Sequence, residues 1–175
     1  MKSTINYIME HPKQSIFSGI LIILAAVIGL MIGRAGASDE PATCWIMCKP
    51  GSLVNVRRTP DGHGQEVGFL EAGDSFRTDG VSKNGYIRAL DIGEHGDAWI
   101  YCGYVVTEKP EKIGERYVCV AKNRVACRRW VDGPQIQGRG WLVNGSNVDV
   151  FFIADGWACT SRGYIQAEWL EADPV

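Results

Sequence analysis

Hydrophobic and polar residues alternate along two short stretches of the chain, residues 54–60 and 125–130. In each stretch apolar side chains alternate with small or polar ones, and two consecutive arginines follow. A period of two buries one face of an extended segment and leaves the other face in water, so each stretch predicts a β-strand. The second stretch opens at Val125, 71 residues after Val54. This echo predicts an internal duplication in which each stretch is the opening strand of one copy.

Further turns and strands follow the two opening strands in the same order. The predicted pairs are turns at 71–74 and 144–147, strands at 75–78 and 148–153, Gly-aromatic turns at 84–87 and 155–158, and closing strands at 99–105 and 163–170. Each copy thus contains about five short strands in about sixty residues, which is the size of a small closed barrel.

The 21 glycines and the lack of long helical periodicity after residue 37 favour an all-β, turn-rich fold. The sequence therefore predicts two tandem small β-barrels at residues 44–106 and 117–175. The charged, proline-containing segment 107–116 between them is predicted to be a linker.

An uncharged apolar run precedes the duplicated part of the chain. Residues 14–33 carry no charge, and a helix of about twenty such residues crosses a hydrocarbon core of about 30 Å. Lys2 and Lys13 precede the run and only Arg34 closely follows it, which favours a cytoplasmic N-terminus. The predicted order is a cytoplasmic segment at 1–15, a transmembrane signal anchor at 16–33 and a juxtamembrane spacer at 34–43.

The small residues that end at Ala37 also fit a signal-peptidase site, and cleavage there would release a secreted protein. The apolar run is longer than an ordinary signal peptide requires, which favours a retained anchor. The expected location is thus the cell membrane, crossed once, with the C-terminal region outside the cytoplasm.

Charge excludes one class of partner. After residue 37 the chain carries 15 basic and 19 acidic side chains, and the whole chain has a net charge of −2. Modules that bind nucleic acid are normally basic, because they neutralise phosphates. We therefore expect no nucleic-acid partner.

Several short motifs resemble those of the bacterial SH3 (SH3b) family. They are Asn55-Val56-Arg57 in the first copy, Gly-Asp before a strand, a Gly-aromatic turn, and Gly163-Tyr164-Ile165 with Trp169-Leu170 in the second copy. Tyr86 stands where the family usually has tryptophan, and Ala126-Cys127 replaces Asn-Val. The resemblance covers most of the chain after the spacer. It implies SH3-like barrels that bind a short peptide or cross-bridge of cell-wall peptidoglycan.

No arrangement of residues indicates catalysis. A nucleophilic cysteine needs a histidine base nearby, but His11 precedes the apolar run, His63 lies in a turn and His95 lies in a Gly-rich loop. The chain also lacks the His-Glu motif of zinc hydrolases, a nucleophile elbow and a phosphate-binding loop. We expect a protein that is not an enzyme and that needs no metal or small-molecule cofactor.

The six cysteines all follow the apolar run: Cys44, Cys48, Cys102, Cys119, Cys127 and Cys159. They form no Cys-x-x-Cys pair of the kind found in zinc sites, so disulfides and free buried thiols remain the main alternatives. Cys48 and Cys119 each stand six residues before the valine of an opening strand, which suggests a shared role at the junction of the barrels. Cys127 and Cys159 have no counterparts in the first copy, and we predict a disulfide between them.

Aromatic and arginine side chains near strand ends are the candidate ligand contacts. They are Trp130, Trp141, Tyr101, Tyr104, Arg57 and Arg128. Core packing is the alternative for each aromatic residue, and it is favoured for Trp99, Trp157 and Trp169.

Two functions remain open at this point. One is a membrane-anchored protein whose barrels bind peptidoglycan peptides or an extracellular protein. The other is an assembly protein whose barrels pack on a membrane partner and bind no wall component.

Overall fold

The computed structural model describes residues 40–90, 92, 98–138 and 140–173. These residues belong to one compact unit, Ser38–Val175. None of them forms a helix that is long and apolar enough to span a bilayer. The predicted cytoplasmic segment and anchor, at 1–33, and most of the spacer lie outside the described residues.

The described part of the chain is an all-β structure with two short 3₁₀ turns. The first module contains β1 (Ala42–Ile46), β2 (Val54–Arg57), β3 (Glu66–Leu70), β4 (Ser75–Thr78), β5 (Ser82–Lys83), β6 (Tyr86–Ala89), β7 (Ala98–Tyr101) and β8 (Val105–Val106). The second module contains β9 (Glu111–Cys119), β10 (Val125–Ala126), β11 (Trp141–Leu142), β12 (Asn147–Ala154), β13 (Trp157–Thr160), β14 (Gly163–Gln166) and β15 (Leu170–Ala172). A 3₁₀ turn precedes the last strand of each module, at Cys102–Tyr104 and at Ala167–Trp169.

The two modules share one strand order. The first module has a sheet β3-β2-β7-β6-β5 and a sheet β4-β1-β8, linked by a bridge between Arg77 and Leu90. The second has a sheet β14-β13-β12-β9-β15 and a pair β10-β11, linked by a bridge between Arg128 and Tyr164. With the bridges included, the order is β3-β2-β7-β6-β4-β1-β8 in the first module and β11-β10-β14-β13-β12-β9-β15 in the second. Equivalent strands therefore follow one another in the same order, and only the position of the break between the two sheets differs.

Each module has a core of its own. Alternate residues of the opening strand β2, Val54 and Val56, enter the first core, as the period of two requires. In the second module Val125 and Cys127 play the same part. Ile100 and Ile165, at equivalent places on the closing strands, are both fully buried. The hydrophobic pattern of the sequence is therefore satisfied within each module.

A third apolar cluster joins the two modules. It contains Met47 and Val106 from the first module, and Phe152, Cys159 and Tyr164 from the second. A β-bulge between Val150 and Phe152 helps to form it. Because an extra residue reverses the alternation, Val148 and Val150 face the second core, whereas Phe152 and Ala154 face the first module.

Hydrogen bonds reinforce this contact between the modules. The Tyr164 hydroxyl donates to the Met47 carbonyl oxygen at 2.7 Å, and the Val131 amide donates to the Gly103 carbonyl at 3.2 Å. The Asp155 carboxylate accepts from the amides of Thr107 at 2.7 Å and Glu108 at 3.0 Å. The two modules consequently form one body with a shared apolar cluster.

The predicted linker at 107–116 is shorter in the structure. Glu111–Cys119 forms a single strand, β9, which pairs with β12 and β15. Ile113 and Tyr117 stand among its charged residues, and both pack against the second core. The charge of the segment favours a linker, but its apolar residues make it a half-buried strand.

The predicted Cys127–Cys159 disulfide is wrong in this structure, where all six cysteines are free thiols. Cys127 lies in the second core, whereas Cys159 faces the cluster between the modules. On strand β13 it is Ala158 that points into the second core, so Cys159 points to the opposite face of the sheet. The two sulfur atoms are therefore on different sides of the same sheet.

The other cysteines are likewise buried or half-buried within the fold. Cys48 and Cys119 each lie in the core of their own module. Cys48 also lies near the second module, where it helps to raise the pKa of Cys159 and of Tyr164. Burial raises the pKa of Cys44, Cys48 and Cys102 to about 11. These thiols are therefore protonated at neutral pH.

Candidate ligand-binding face

The opening strand of each module presents alternate side chains on its outer face. In the second module this outer stripe consists of Arg124, Ala126 and Arg128, which are exposed or half-buried. The equivalent stripe of the first module consists of Leu53, Asn55 and Arg57. Both stripes follow from the same alternation that sends the intervening residues into the cores.

A second strand adds one large aromatic side chain to each stripe. Ala126 pairs with Trp141, and Asn55 pairs with Phe69. Residues that face each other across an antiparallel pair project from the same side of the sheet. Trp141 is 38% exposed and Phe69 is 61% exposed, so each ring extends the outer face of its module.

A cleft of about 140 Å³ opens beside the stripe of the second module. Its lining residues are Val125, Ala126, Arg128, Trp157, Gln166 and Trp169. Trp157 begins β13 directly after a turn in which Asp155 and Gly156 have φ values of 49° and 73°, as two-residue hairpin turns of type I′ require. The Trp169 Nε1–H donates to Gln166 Oε1 at 3.3 Å. The cleft thus has two indole walls and a polar rim.

Arg128 is the cationic group of this cleft, and the fold holds it in place. Its backbone exchanges hydrogen bonds with Tyr164, at 2.8 Å and 2.9 Å. One guanidinium nitrogen donates to the Gly133 carbonyl oxygen at 2.7 Å, and the guanidinium carbon lies 6.0 Å from the centre of the Trp157 ring. These contacts fix the side chain without a carboxylate partner among the described residues.

A wider, open groove of about 720 Å³ lies at the other end of the stripe. Its lining residues are Lys122, Asn123, Arg124, Trp141, Val143 and Asn144. The Arg124 guanidinium carbon lies 4.1 Å from the centre of the Trp141 ring, which is a cation–π contact. The groove combines two cations, two amides and an exposed aromatic ring.

The first module differs at the position of its arginine. A carboxylate oxygen of Glu66 lies 3.1 Å from the Arg57 guanidinium, and Arg57 also donates to the Gly64 carbonyl at 2.7 Å. The Asn55 amide donates to the same Glu66 oxygen at 2.5 Å. In the second module the neutral Gln135 takes the place of Glu66, since Arg128 pairs with Gln135 as Arg57 pairs with Glu66. The charge of the arginine is therefore balanced in the first module and available in the second.

An aromatic cluster lies where the first module meets the second. The Tyr101 ring contacts the rings of Tyr86, Tyr104 and Trp130 edge-on, with centroid distances of 5.3, 6.1 and 5.2 Å. Trp130 also lies so close to Gly103 that a Cβ atom there would be 2.4 Å from the indole ring. Burial raises the pKa of Tyr101 and of Tyr104. The half-buried Trp130 belongs to the contact between the modules.

The predicted contact residues thus fall into three groups. Tyr101, Tyr104 and Trp130 lie in the aromatic cluster, Arg128 and Trp141 lie on the outer face of the second module, and Arg57 is engaged by Glu66. Lys122, Arg124 and Gln166 were not among the predicted contacts. Trp157 and Trp169 pack against apolar clusters, as predicted, and both also line the cleft. The period of two around Ala126 was a signal that could have found Arg124.

Metal binding has no support from the part of the chain that the structure describes. Within residues 40–90, 92, 98–138 and 140–173, no group of three or more His, Cys, Asp or Glu side chains could hold an ion. His63 is exposed in its turn, where its amide donates to Asp61 Oδ1 at 2.9 Å. His11 and His95 are outside the described residues.

No protein-family profile and no curated protein matches the chain. Among solved structures, NlpC2 and NlpC1 from Trichomonas vaginalis are similar at 17% and 18% identity, with TM-scores of 0.32 and 0.31. These matches cover 78% and 79% of this chain but only 50% and 48% of the other chains, about half their length. The CBD of the endolysin LysPBC5 is similar at 10% identity with a TM-score of 0.28, over 78% of this chain and 98% of that one.

Proposed function

We propose that this chain is an extracytoplasmic binding protein whose second module holds short peptides of the cell wall in the cleft beside Arg128. The observation that supports this proposal is the composition of the cleft. The Arg128 guanidinium, which has no carboxylate partner among the described residues, lies there beside the Gln166 amide and two indole rings. Such a mixture of apolar walls and a few placed polar groups is typical of ligand sites. The motifs that resemble bacterial SH3 domains support the choice of ligand class.

The chemistry of the cleft fits the end of a peptide. A guanidinium pairs with a carboxylate through two parallel hydrogen bonds, and an amide such as that of Gln166 both donates to and accepts from a peptide group. A cavity of about 150 Å³ holds a molecule of the size of benzene, so a cleft of about 140 Å³ accommodates one small terminal residue. Peptidoglycan peptides carry small residues and free carboxylates.

A pull-down with insoluble peptidoglycan tests this function. The fragment 38–175 is suitable, because it contains all three apolar clusters of the compact unit. We expect retention on intact wall and loss of retention on glycan from which the peptides have been removed. Retention no better than that of an unrelated protein would reject the proposal.

A matched pair of variants locates the site. Arg128→Gln should weaken wall binding about tenfold, because a charge-assisted hydrogen bond is lost. Arg57→Gln changes the equivalent residue of the first module, where Glu66 already engages the guanidinium, and should leave wall binding unchanged. Equal losses in the two variants would assign the effect to net charge and not to the cleft.

The anchor at residues 16–33 is part of the same proposal. The full-length protein should pellet with membranes and resist alkaline extraction, since a spanning helix is not removed by breaking ionic contacts. A mature N-terminus at Ser38 would instead identify a secreted protein.

A second candidate function, assembly on a protein partner, is favoured by one observation. Leu53 and Phe69 on the first module are 52% and 61% exposed, and adjacent exposed apolar side chains often mark protein contacts. Recovery of a membrane protein with the wild type, but not with Phe69→Ser, would support this candidate.

A further inference from the structure

The cleft and the groove of the second module are parts of one continuous face. Ala126 lines the cleft, and its partner across the strand pair, Trp141, lines the groove. Their side chains project from the same side of the sheet. A ligand that leaves the cleft along this strand pair therefore passes over Trp141 and reaches the groove.

Cationic side chains stand at both ends of this face. Arg128 lies in the cleft, and Arg124 with Lys122 lies in the groove. Along an extended strand the Cα atoms of residues 124 and 128 are roughly 13 Å apart. No ion pair of Arg124 or Arg128 occurs within the residues that the structure describes. This concentration of positive charge contrasts with the 15 basic and 19 acidic side chains after residue 37.

The first module provides an internal reference for this face. Leu53 takes the place of Arg124, and Glu66 pairs with the arginine that is equivalent to Arg128. The outer face of the first module therefore carries one cation, which has a carboxylate partner. The outer face of the second module carries two arginines without one in the described part of the chain. The fold of the opening strand does not require the second cation, since the first module forms without it.

We propose that the outer face of the second module binds an extended peptide through two carboxylates, one at Arg128 and one at Arg124 and Lys122. The apolar part of the peptide lies across Trp141, between the two charged ends. At about 3.3 Å per residue, a spacing of roughly 13 Å corresponds to carboxylates on the order of four residues apart. This inference rests on the proposed function and adds to it the charge and the length of the ligand.

The test uses the fragment 38–175 and a synthetic pentapeptide with a free C-terminus and one internal glutamate near its N-terminal end. A second probe carries glutamine in place of the glutamate. Calorimetry should show that the wild type binds the glutamate peptide about two- to fivefold more tightly than the glutamine peptide, the range of an exposed ion pair. The double variant Lys122→Gln with Arg124→Gln should lose this preference and bind both probes alike.

Lys112→Gln serves as the control, because Lys112 is exposed on β9 in the same module but outside this face. It should keep the preference for the glutamate peptide. Both groove residues are exposed, so the melting temperature of the double variant should match that of the wild type.

Three outcomes would overturn the inference. The first is wild-type binding to both probes with equal affinity, which would leave the peptide-binding function intact and remove the second subsite. The second is retention of the preference in the double variant. The third is loss of binding to vesicles of anionic lipid in the double variant with unchanged peptide binding, which would assign the groove to lipid headgroups. Failure of the wild type to bind wall or either peptide would instead reject the proposed function itself.

Discussion

The two modules place an arginine at the same point of the same strand and use it differently. Arg57 is paired with Glu66, its partner on the neighbouring strand, so it stabilises a strand pair of the first module. Arg128 has the neutral Gln135 in the place of that acid and lines a cleft. A single position on the adjacent segment therefore decides whether the arginine serves the fold or is available to a ligand.

The modules also contribute unequally to their contact. The second module supplies Trp130, which packs on Gly103 and Tyr101 of the first, and Thr59 occupies the equivalent place in the first copy. A contact of this kind needs only one of the two copies to change.

Truncation of a core side chain should have the largest effect on the stability of either module. Ile100→Ala and Ile165→Ala remove fully buried side chains from equivalent places in the two cores, and each should lower the free energy of unfolding by about 2–5 kcal/mol. Because the modules share an apolar cluster, calorimetry should show one transition in both variants. Two separate transitions, with only one shifted in each variant, would show that the modules unfold independently.

Trp130→Ala should have the next largest effect, because it opens the contact between the modules. Trp130 is half-buried, so we expect the free energy of unfolding to fall by about 2 kcal/mol, less than for a fully buried tryptophan. Trp141→Ala is the control, since Trp141 is exposed and surface substitutions change stability by about 0.5 kcal/mol or less. Wall binding lost at unchanged stability in Trp130→Ala would make Trp130 a ligand contact, as the sequence analysis expected.

A contribution to stability that depends on pH should come from the first module alone. Its Arg88 pairs with Asp79 and lowers the pKa of that carboxyl, whereas Cys159 occupies the equivalent place in the second module. A carboxyl group whose pKa is lower in the folded state stabilises the fold at pH values above its unfolded pKa of about 4. This stabilisation is lost as the pH falls through the pKa of the folded state.

The matching experiment compares wild type with Asp79→Asn by chemical unfolding. The variant should be less stable by about 1 kcal/mol at pH 7, and the difference should shrink as the pH is lowered below about 4. A difference that stays constant down to pH 2 would mean that the pair does not contribute through its charge.

The smallest effect should come from reducing agents. Since the six cysteines are free, dithiothreitol should leave the melting temperature unchanged. Alkylation should be slow in the folded protein at pH 8, because burial raises the pKa of Cys48 and Cys159 to about 11, and all thiols should react after unfolding. Recovery of a peptide that joins Cys127 to Cys159 would contradict this structure.

The sequence alone determined the all-β class of the fold and predicted two similar modules. Alternation in the opening strands, turn residues such as Gly85 and Gly156, and the repeated order of motifs are local signals, and they depend only on the chain near each residue. The strand at Ser75–Thr78 was predicted at its observed bounds. Arg128 and Trp141 were also predicted as contacts, and both lie on the outer face of the second module.

Only the tertiary structure decided how these residues combine. The bulge between Val150 and Phe152 turns one part of β12 toward the first module, and the register of β13 directs Cys159 away from Cys127. Neither the bulge nor the choice of face leaves a signal in composition, since a shift of one residue exchanges the two faces of a strand. Likewise, the cleft is formed by Arg128, Trp157 and Trp169 from three separate elements, and their proximity is a property of the packed modules and not of any one segment.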